Sequence, residues 1–455
     1  MNNDVSMALS NPDQQNLNGL QRLALGLVAV GLLALFIGWA GQAVHAPLTF
    51  FLVAAGGISA GSLLYTYSEY NGKTEGIKNN GVFFKSISAR GGFAWMLGVL
   101  LTGFYICLYW FPQYIEGLIR MHDPLSYLLR GKEANQWFVY GTFYTFAVIL
   151  MGVKFMAKYK HNRYQVYRTM SVMSFQLSFA YLIPAFLAAM NQPEEYFSYF
   201  WPLDSYALRP EWTLNWNHPS SVGDIGYLII GVGFFMPFIA TPILTYLYGK
   251  RWYCSWVCGC GGLAETAGDP FRQLSDKSLT AWKIERVLIY SILVAITVLT
   301  VLLWVNHQMQ NELLGTFTAS YKKGYGFFIA SMFSGVIGTG MYPLLGNRSW
   351  CRFGCPMAAM LGLYQKVKSR FRITTNGGQC ISCGNCSTYC EMGIDVRHYA
   401  QRGQDIVRAS CVGCGICSAV CPRGVLRLEN SNEDINDRAL DVRNIHVKMD
   451  DVTFL

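Results

Sequence analysis

Eight apolar stretches of about 20 residues constrain the fold of this chain more than any other feature. Each is long enough to cross the hydrocarbon core of a bilayer as a helix. Only 14% of the 455 residues are charged, against roughly a quarter in a soluble domain. The sequence therefore predicts a membrane all-α bundle of about eight transmembrane helices. The stretches are 23–44, 47–66, 92–113, 137–157, 169–190, 225–248, 284–305 and 326–346.

The stretch 47–66 is unusual because it is short and rich in alanine, glycine and serine. Small residues allow the backbones of membrane helices to approach closely. The same composition also fits a re-entrant segment, so both interpretations are open for this stretch.

Lysine and arginine are concentrated in every second loop between these stretches. They precede the third stretch, lie between the fourth and fifth and between the sixth and seventh, and follow the eighth. Because loops of this kind stay on the cytoplasmic side, we expect a multi-pass protein of the bacterial inner (cytoplasmic) membrane with both termini in the cytoplasm. This distribution also accounts for the net charge of +9 without a nucleic-acid partner.

Two runs of four cysteines lie near the C-terminus, each with the spacing C-x2-C-x2-C-x3-C. Bacterial two-cluster ferredoxins have this spacing, and in them the fourth cysteine of each run ligates the other [4Fe–4S] cluster. We therefore expect a small cytoplasmic α+β dicluster ferredoxin domain. Its first cluster would be held by Cys380, Cys383, Cys386 and Cys421. Its second cluster would be held by Cys411, Cys414, Cys417 and Cys390.

Zinc is the main alternative for eight closely spaced thiols. Structural zinc sites usually separate their C-x2-C pairs by a dozen or more residues, so the spacing favours iron–sulfur clusters. One position departs from the ferredoxin pattern, because Glu391 follows Cys390 whereas Pro422 follows Cys421. A carboxylate beside a cluster is expected to lower its reduction potential.

The exits of the sixth and eighth stretches repeat one motif, Gly-x-Arg-x-aromatic-Cys-x3-Cys. The two stretches run in the same direction, so both cysteine pairs should reach the cytoplasmic surface of the membrane. Four thiols can hold a third centre, most simply a [4Fe–4S] cluster, with a zinc or copper site as variants and inert packing as the other interpretation. The pairs are Cys254 with Cys258 and Cys351 with Cys355, preceded by Arg251 and Arg348, whose charges would offset the thiolates.

Paired C-x3-C motifs followed by a dicluster ferredoxin resemble the NapH/NosR-type membrane polyferredoxins over roughly residues 225–425. The resemblance implies an electron-transfer protein that connects the quinone pool with a partner redox protein or respiratory complex, for example as a quinol dehydrogenase subunit. The second pair matches the family's C-x3-C-P motif, but Gly259 replaces the proline after the first pair. CcoG-type polyferredoxins suggest an alternative, a reductase or assembly factor for copper, and a passive membrane-anchor subunit is a third interpretation.

These features divide the chain into five segments. A cytoplasmic N-terminal segment and a membrane region of about five spans precede the polyferredoxin membrane core, the dicluster ferredoxin domain and a C-terminal tail. The resemblance implies that small family members lack the N-terminal membrane region. Residues 1–220 contain a single cysteine and no haem-type histidine pair, so we expect this part of the chain to anchor a partner or a lipid. The segments are 1–22, 23–220, 221–372, 373–428 and 429–455.

Groups that could exchange protons with a quinone are few. None of the seven histidines lies deep within a stretch, which argues against bis-histidine haem in the membrane. Glu265 and Asp269 are candidates for protonating a quinone at the inner face, and a solvated helix start explains them as well. Four histidines fall in the opposite loops, where metal binding, proton transfer and simple exposure are all open: His45, His122, His218 and His307.

Overall fold

The computed structural model describes residues 17–41, 46–71, 90–204, 208, 225–309 and 315–430. Within these residues, seven helices are long and apolar enough to cross a membrane. We name them span 1 to span 7 in chain order: Gly19–Trp39, Pro47–Tyr70, Gly92–Trp110, Gln136–Lys158, Arg163–Ala189, Leu228–Tyr248 and Leu279–Gln308. The mostly helical architecture with several membrane helices is therefore confirmed, whereas the count of eight is not.

The eighth predicted stretch, 326–346, differs from a regular spanning helix. The α-helix Gly315–Tyr325 continues as the π-helix Gly326–Ile337, and a turn then leads to the short helix Tyr342–Leu345. Two lysines occupy the last turn of the first of these helices. The two helices together are longer than span 3, so the more polar composition of this segment, and not its length, separates it from the seven spans.

Spans 5 and 6 each contain a wide π-helical turn beside a proline. The turn Ser178–Leu182 precedes Pro184, and the turn Met236–Ala240 contains Pro237. Proline has no backbone N–H to donate, and a π-turn lets the helix continue past the missing hydrogen bond. The α-helical parts are Arg163–Leu177 and Ile183–Ala189 in span 5, and Ile225–Phe235 and Thr241–Tyr248 at span 6.

Spans 1 and 2 pack closely through small residues. A Cβ atom at Gly31 would lie 2.9 Å from the carbonyl oxygen of Ala54, and one at Gly61 would lie 2.5 Å from that of Ala24. Only glycine allows two helix backbones to approach this closely. Span 2 is one helix of 24 residues that contains the whole stretch 47–66, so the structure supports helix packing over a re-entrant segment.

Each cysteine pair occupies the same kind of helix–turn–helix. Cys254 ends one short helix and Cys258 caps the next, while Cys351 lies in a short helix and Cys355 caps the one after it. The repeated sequence motif therefore corresponds to a repeated local structure. The helices are Arg251–Cys254, Gly259–Glu265, Ser349–Phe353 and Pro356–Lys368, and the 3-10 helix Asp269–Leu274 follows the first pair. Short helices Pro112–Ile115, Glu116–Met121 and Asp123–Arg130 connect spans 3 and 4.

A two-stranded antiparallel sheet closes the C-terminal region. Strand β1, Arg372–Thr375, pairs with strand β2, Leu426–Glu429. Gly384 and Gly415 precede two short helices at equivalent positions and have φ angles of 80° and 74°, a left-handed conformation that favours glycine. The remaining helices are Gly377–Gln379, Asn385–Thr388, Val396–Gln401 and Ile416–Ala419. This small α+β unit agrees with the expected ferredoxin domain.

Candidate electron-transfer site

The first predicted cysteine set lines one small cavity. Cys380, Cys383 and Cys386 line it together with Cys421 from the other run. Burial raises the pKa of Cys386 to about 11, and the charges of the other three thiols add to this effect. The structure therefore brings these four thiols around one space, as the exchange of fourth cysteines requires.

The second predicted set is also brought together. Cys411 lies near Cys390, and Cys417 has Cys414, Cys411 and Cys390 among its charged neighbours. Burial raises the pKa of Cys411 to about 11 and that of Cys414 to about 12. Thiols in this environment lose their protons when a metal binds them. The set is thus suited to metal ligation rather than to free thiolate chemistry.

The spacing of the sulfur atoms fits clusters better than single ions. Within the described part of the chain, no three cysteine sulfurs lie within 4.8 Å of one another. A tetrahedral zinc ion with Zn–S bonds of about 2.3 Å would hold its sulfurs about 3.8 Å apart. In an iron–sulfur cube each thiolate binds a different iron, which separates the ligands more widely. The donor sets therefore lack the close spacing of a single-ion zinc site, and the ferredoxin thiols have the exchanged grouping that two [4Fe–4S] clusters require.

The two C-x3-C pairs meet at one buried position. Cys254, Cys258, Cys351 and Cys355 belong to one core, and each is at most 7% exposed. Burial raises the pKa of Cys355, and the nearby charges of Cys351 and Cys254 raise it further. The structure therefore brings together the thiols of both repeats, and none of the four forms a disulfide.

Arg348 connects these two repeats electrostatically. One Nη atom of its guanidinium lies 3.5 Å from Sγ of Cys351 and 3.3 Å from the carbonyl oxygen of Cys254. Its side chain is fully buried. The expected offset of thiolate charge therefore has a direct structural basis at Arg348.

Arg251, the corresponding residue of the first repeat, has a different environment. Its guanidinium lies 4.6 Å from the ring centroid of Phe371. Lys250, next to Arg251 in the sequence, is the cation whose charge offsets that of a thiolate in the first repeat. Burial raises the pKa of both Cys254 and Cys411, and the charge of Lys250 opposes the rise in each case. One lysine thus lies near a thiol of the paired motifs and a thiol of the second ferredoxin set.

Seven ionised side chains form a buried charge cluster between the membrane spans, the cysteine pairs and the ferredoxin unit. Each carboxylate contacts two cations: Asp269 with Lys158 and Arg272, Glu265 with Arg168 and Arg348, and Glu391 with Arg272 and Arg348. Four cations and three anions give the cluster a net charge of +1. Removing one partner from such a buried pair is expected to cost about 3–5 kcal/mol.

Glu391 lies at the ferredoxin end of this charge cluster. It is 0% exposed, and its carboxylate lies 2.8 Å from Arg272 and 3.0 Å from Arg348. Burial raises the pKa of Glu391, but the charges of Arg348 and Arg272 hold it below its ordinary value. The carboxylate is ionised, and the charges of Arg272 and Arg348 balance it. These arginines oppose the lowering of the cluster's reduction potential by Glu391, and that lowering stays a prediction.

Glu265 and Asp269 are not available to a quinone. Glu265 is 2% exposed and contacts two arginines, while Asp269 lies 2.6 Å from Lys158 and 3.1 Å from Arg272. Burial raises the pKa of Asp269, but these two cations lower it to about 2. Both carboxylates are therefore structural ion-pair partners, and the interpretation as a solvated helix start is wrong as well.

The loop 411–414 docks on the membrane part through four successive carbonyl groups. The side chains of Gln365, Ser255, Tyr164 and Gln165 donate to the carbonyl oxygens of residues 411, 412, 413 and 414 at 2.9, 2.8, 2.8 and 2.9 Å, in that order. Tyr164 and Gln165 begin span 5, and Ser255 lies within the first cysteine pair. The second set is thus fixed against the membrane part, whereas Cys383 of the first set is exposed.

Cys260 lies two residues past the first pair, and its position in the sequence makes it a possible substitute ligand. A hydrogen bond with Cys258 lowers the pKa of Cys260 and raises that of Cys258. Tyr199 lies within 3.8 Å of the Cys260 sulfur as a second hydrogen-bond partner. A fifth sulfur therefore lies beside the four thiols of the C-x3-C pairs, and its signal in the sequence is the C-x-C formed by Cys258 and Cys260. Cys107 contacts a separate apolar core.

The histidines do not form a common site in the described part of the chain. His122 is 1% exposed, and its Nδ1 lies 2.8 Å from the carbonyl oxygen of Leu118. Burial lowers the pKa of His122 to about 4, so it is a buried residue rather than an exposed one. His307 occupies the last turn of span 7. His45, His218 and the tail beyond residue 430 lie outside the described residues.

Comparison with known domain families identifies the iron–sulfur regions. Residues 379–426 match the 4Fe-4S dicluster domain, and residues 230–278 and 325–374 each match the 4Fe-4S binding domain. The two copies of the second domain contain the two C-x3-C pairs, which agrees with the internal repeat. The matches therefore indicate iron–sulfur clusters in the C-terminal half of the chain.

Two curated relatives are similar to part of this chain. Over 173 residues the chain is 27% identical to the electron transport protein YccM of Escherichia coli K12, with 34% of this chain and 45% of the relative covered. Over 152 residues it is 28% identical to the methylamine utilization ferredoxin-type protein MauN of Methylobacillus flagellatus, with 32% and 50% covered. The chain thus spans about half the length of the curated relatives it matches, and no solved structure matches it.

These findings confirm the resemblance to NapH-type polyferredoxins. The chain contains 4Fe–4S ferredoxin-type domains, is homologous to ferredoxin-type electron transport proteins, and has seven apolar helices of spanning length among its described residues. Iron–sulfur electron transfer is therefore supported.

Proposed function

We propose that this membrane protein relays electrons between the quinone pool and a partner redox protein. The electrons would pass through three centres in series, each held by one set of four cysteines. The observation that carries the proposal is the docking of loop 411–414. This loop holds the second cysteine set against span 5 and the first C-x3-C pair, while the first set remains at the exposed end. Along the proposed electron-transfer path, the C-x3-C pairs come first, the second ferredoxin set follows, and the first ferredoxin set lies next to the partner.

The ferredoxin sets would hold two [4Fe–4S] clusters, and the C-x3-C pairs would hold a third. Such clusters exchange one electron at a time when bound. The protein's own groups position the thiols, exclude water from the second set and the pairs, and add positive charge through Lys250 and Arg348. Positive charge near buried thiolates favours the reduced cluster. Cys386 and Cys417 lie near each other, which connects the two ferredoxin sets.

The exposed end has features that suit a soluble partner. Ile381 is 58% exposed beside Cys380, and Arg397 and Arg423 line the cavity of the first set. A partner with an acidic face around its own redox group would complement these arginines. We place this end, both termini and the basic loops in the cytoplasm, with the membrane helices in the bacterial inner membrane. We also propose that the chain is divided at the predicted boundaries, into the segments 1–22, 23–220, 221–372, 373–428 and 429–455.

The test uses the full-length protein in lipid nanodiscs. A reduced menaquinone or ubiquinone analogue is added without oxygen, and the clusters are followed by electron paramagnetic resonance. We expect the quinol to reduce clusters, with about eight irons per chain in the ferredoxin sets and about twelve with the third centre. Zinc in place of iron and sulfide would refute the electron-carrier function. Reduction of added Cu(II) without any reaction with quinol would instead favour the copper-handling alternative.

A further inference from the structure

A cavity of about 850 Å³ lies where the N-terminal membrane region meets the cysteine-bearing core. Tyr164, Ser171 and Phe175 of span 5 form one wall, and Leu244 and Tyr248 at the end of span 6 form another. The ferredoxin unit closes a third side with strand β2 and its last helix. The volume falls within the range of small-molecule and cofactor sites.

The cavity changes from polar to apolar along its length. Asn162, Arg251 and Arg427 line the end near the ferredoxin unit, while Phe175 and Leu244 line the part between the spans. Tyr164 and Phe175 are separated by about 17 Å along the helix axis. A ligand with a polar ring and a long apolar chain would match both the gradient and the length.

The polar end offers one acceptor to a quinol hydroxyl, the Tyr164 oxygen, and one cationic donor to a ring oxygen, Arg251. The hydroxyl of Tyr164 donates to the carbonyl oxygen of Gly413 at 2.8 Å and accepts from Nε1 of Trp256 at 3.2 Å. Among the described carboxylates, none lies within ion-pair distance of Arg251. A cation without a carboxylate partner is available to a quinone oxygen, and aromatic side chains suit a flat ring.

The walls of the cavity adjoin two redox groups at once. Trp256 and Val257 lie between Cys254 and Cys258 of the first pair. Gly415 and Ser418, which also line the cavity, directly follow Cys414 and Cys417 of the second ferredoxin set. A two-electron donor in this cavity would have one-electron acceptors on two sides.

We propose that this cavity binds the ring of a membrane quinone or quinol, and that span 5 of the N-terminal region builds one of its walls. The inference rests on the proposed function and gives that function a site. A bound quinol breaks its two O–H bonds and forms two C=O bonds. Its two electrons would pass one at a time to the centres that the first C-x3-C pair and the second ferredoxin set would hold, and its two protons would pass to water at the end lined by the exposed Arg427.

The proposal assigns the N-terminal membrane region a part in the site. A site of this construction requires span 5 in addition to the cysteine-bearing core, because Tyr164, Ser171 and Phe175 form one of its walls. The region would then shape the quinone site in addition to anchoring a partner or a lipid.

The experiment measures quinone binding separately from electron transfer. The full-length protein in nanodiscs is labelled with a photoreactive azidoquinone, and the modified peptides are identified by mass spectrometry. We expect labelling in the peptides that contain Tyr164 to Phe175 and Leu244 to Val257, with competition by an unlabelled quinone. Labelling confined to other peptides would overturn the proposed site.

Two matched pairs of variants distinguish the cavity from its surroundings. Leu244→Trp fills the cavity from span 6, and Ile243→Trp places the same ring on the adjacent residue, which is 55% exposed. Ser171→Phe and the exposed Ser174→Phe form the second pair in span 5. The cavity-filling variants should weaken quinone binding by about ten-fold or more and lose the label, while both controls and all iron contents stay normal.

The outcomes separate this inference from the proposed function. If quinol reduces the clusters but cavity-filling variants bind quinone normally, the site is wrong and the function stands. If no quinone binds or reacts anywhere, the proposed function fails as well. A phospholipid that fills the cavity in native mass spectra and resists displacement by quinone would also overturn the site.

Discussion

Replacing Glu391 with glutamine should raise the reduction potential of the second ferredoxin cluster and of the third centre together. The carboxylate lies within 4.8 Å of Sγ of Cys414 and shares Arg348 with Cys351. Glutamine keeps the shape and the acceptor oxygen but removes the negative charge. The charges of Arg272 and Arg348 are then less balanced, which favours the reduced state of both centres.

The size of the shift follows from Coulomb's law. At an effective dielectric constant of about 20 and a distance of about 7 Å from the carboxylate to a cluster centre, the interaction is about 2.4 kcal/mol. For a one-electron couple this corresponds to about 100 mV. The first cluster, whose ligand Cys383 is exposed, should shift much less because water screens the change.

The assay is a redox titration of the full-length protein followed by electron paramagnetic resonance. Glu194→Gln is the control, because Glu194 pairs with Arg130 at 2.6 Å. This pair lies near the start of span 4, whereas Lys158 of the charge cluster lies at the end of that span. It removes a carboxylate from an arginine pair without a cysteine nearby and should leave all three potentials unchanged. Equal shifts in both variants, or no shift in Glu391→Gln with clusters intact, would refute the electrostatic reasoning.

Three further predictions concern single residues. Cys421→Ser should damage the cluster of Cys380, Cys383 and Cys386 more than that of Cys411, Cys414 and Cys417, which iron content and resonance signals of the variant would show. Cys260→Ser should keep the third signal and shift its potential, whereas Cys258→Ser should abolish it; the reverse result would make Cys260 the ligand. Burial lowers the folded-state pKa of His122 to about 4, so the unfolded chain binds a proton at this residue before the folded protein does. The free energy of unfolding should therefore be constant above about pH 6.5 as far as His122 is concerned, and should fall by roughly 3 kcal/mol as the pH drops to 4. Acid unfolding curves of His122→Phe in the same range would lack this component, and an unchanged curve would contradict the assignment.

The sequence predicted the parts of the site that depend on short-range spacing. Three ligands of each ferredoxin set lie within seven residues, and the two C-x3-C pairs lie in a repeated motif. Such spacing records the ligation pattern directly because each loop wraps around its own centre. Apolar length gave most of the membrane helices for a similar reason, since each helix must satisfy its backbone hydrogen bonds by itself.

The contacts between distant segments could not be predicted in this way. Glu391 pairs with Arg272, 119 residues earlier, and Gln165 donates to residue 414 across 249 positions. Nothing in either local sequence indicates its partner, because a buried charge is recognisable only when the surrounding elements are packed. The same limit applied to Glu265 and Asp269, which resemble free carboxylates in the sequence and are paired in the fold.

Within the N-terminal membrane region, spans 1 to 4 and span 5 make different contacts with the cysteine-bearing part of the chain. Spans 1 to 4 reach the charge cluster through Lys158, whose partner Asp269 also contacts Arg272. Span 5 supplies Arg168 to Glu265, and two of the four donors to loop 411–414.

Deletion of residues 1–157 should therefore leave iron and sulfide contents near normal and release a partner subunit that the deleted spans hold. Arg168→Gln in the full-length protein should instead weaken the second cluster, because Glu265 then retains one cation and the docking of the loop loosens. Arg163→Gln, at the exposed start of the same helix, is its control. If the deletion removed all clusters from a protein that still folds, or if Arg168→Gln behaved like its control, the functional boundary would not lie between spans 4 and 5.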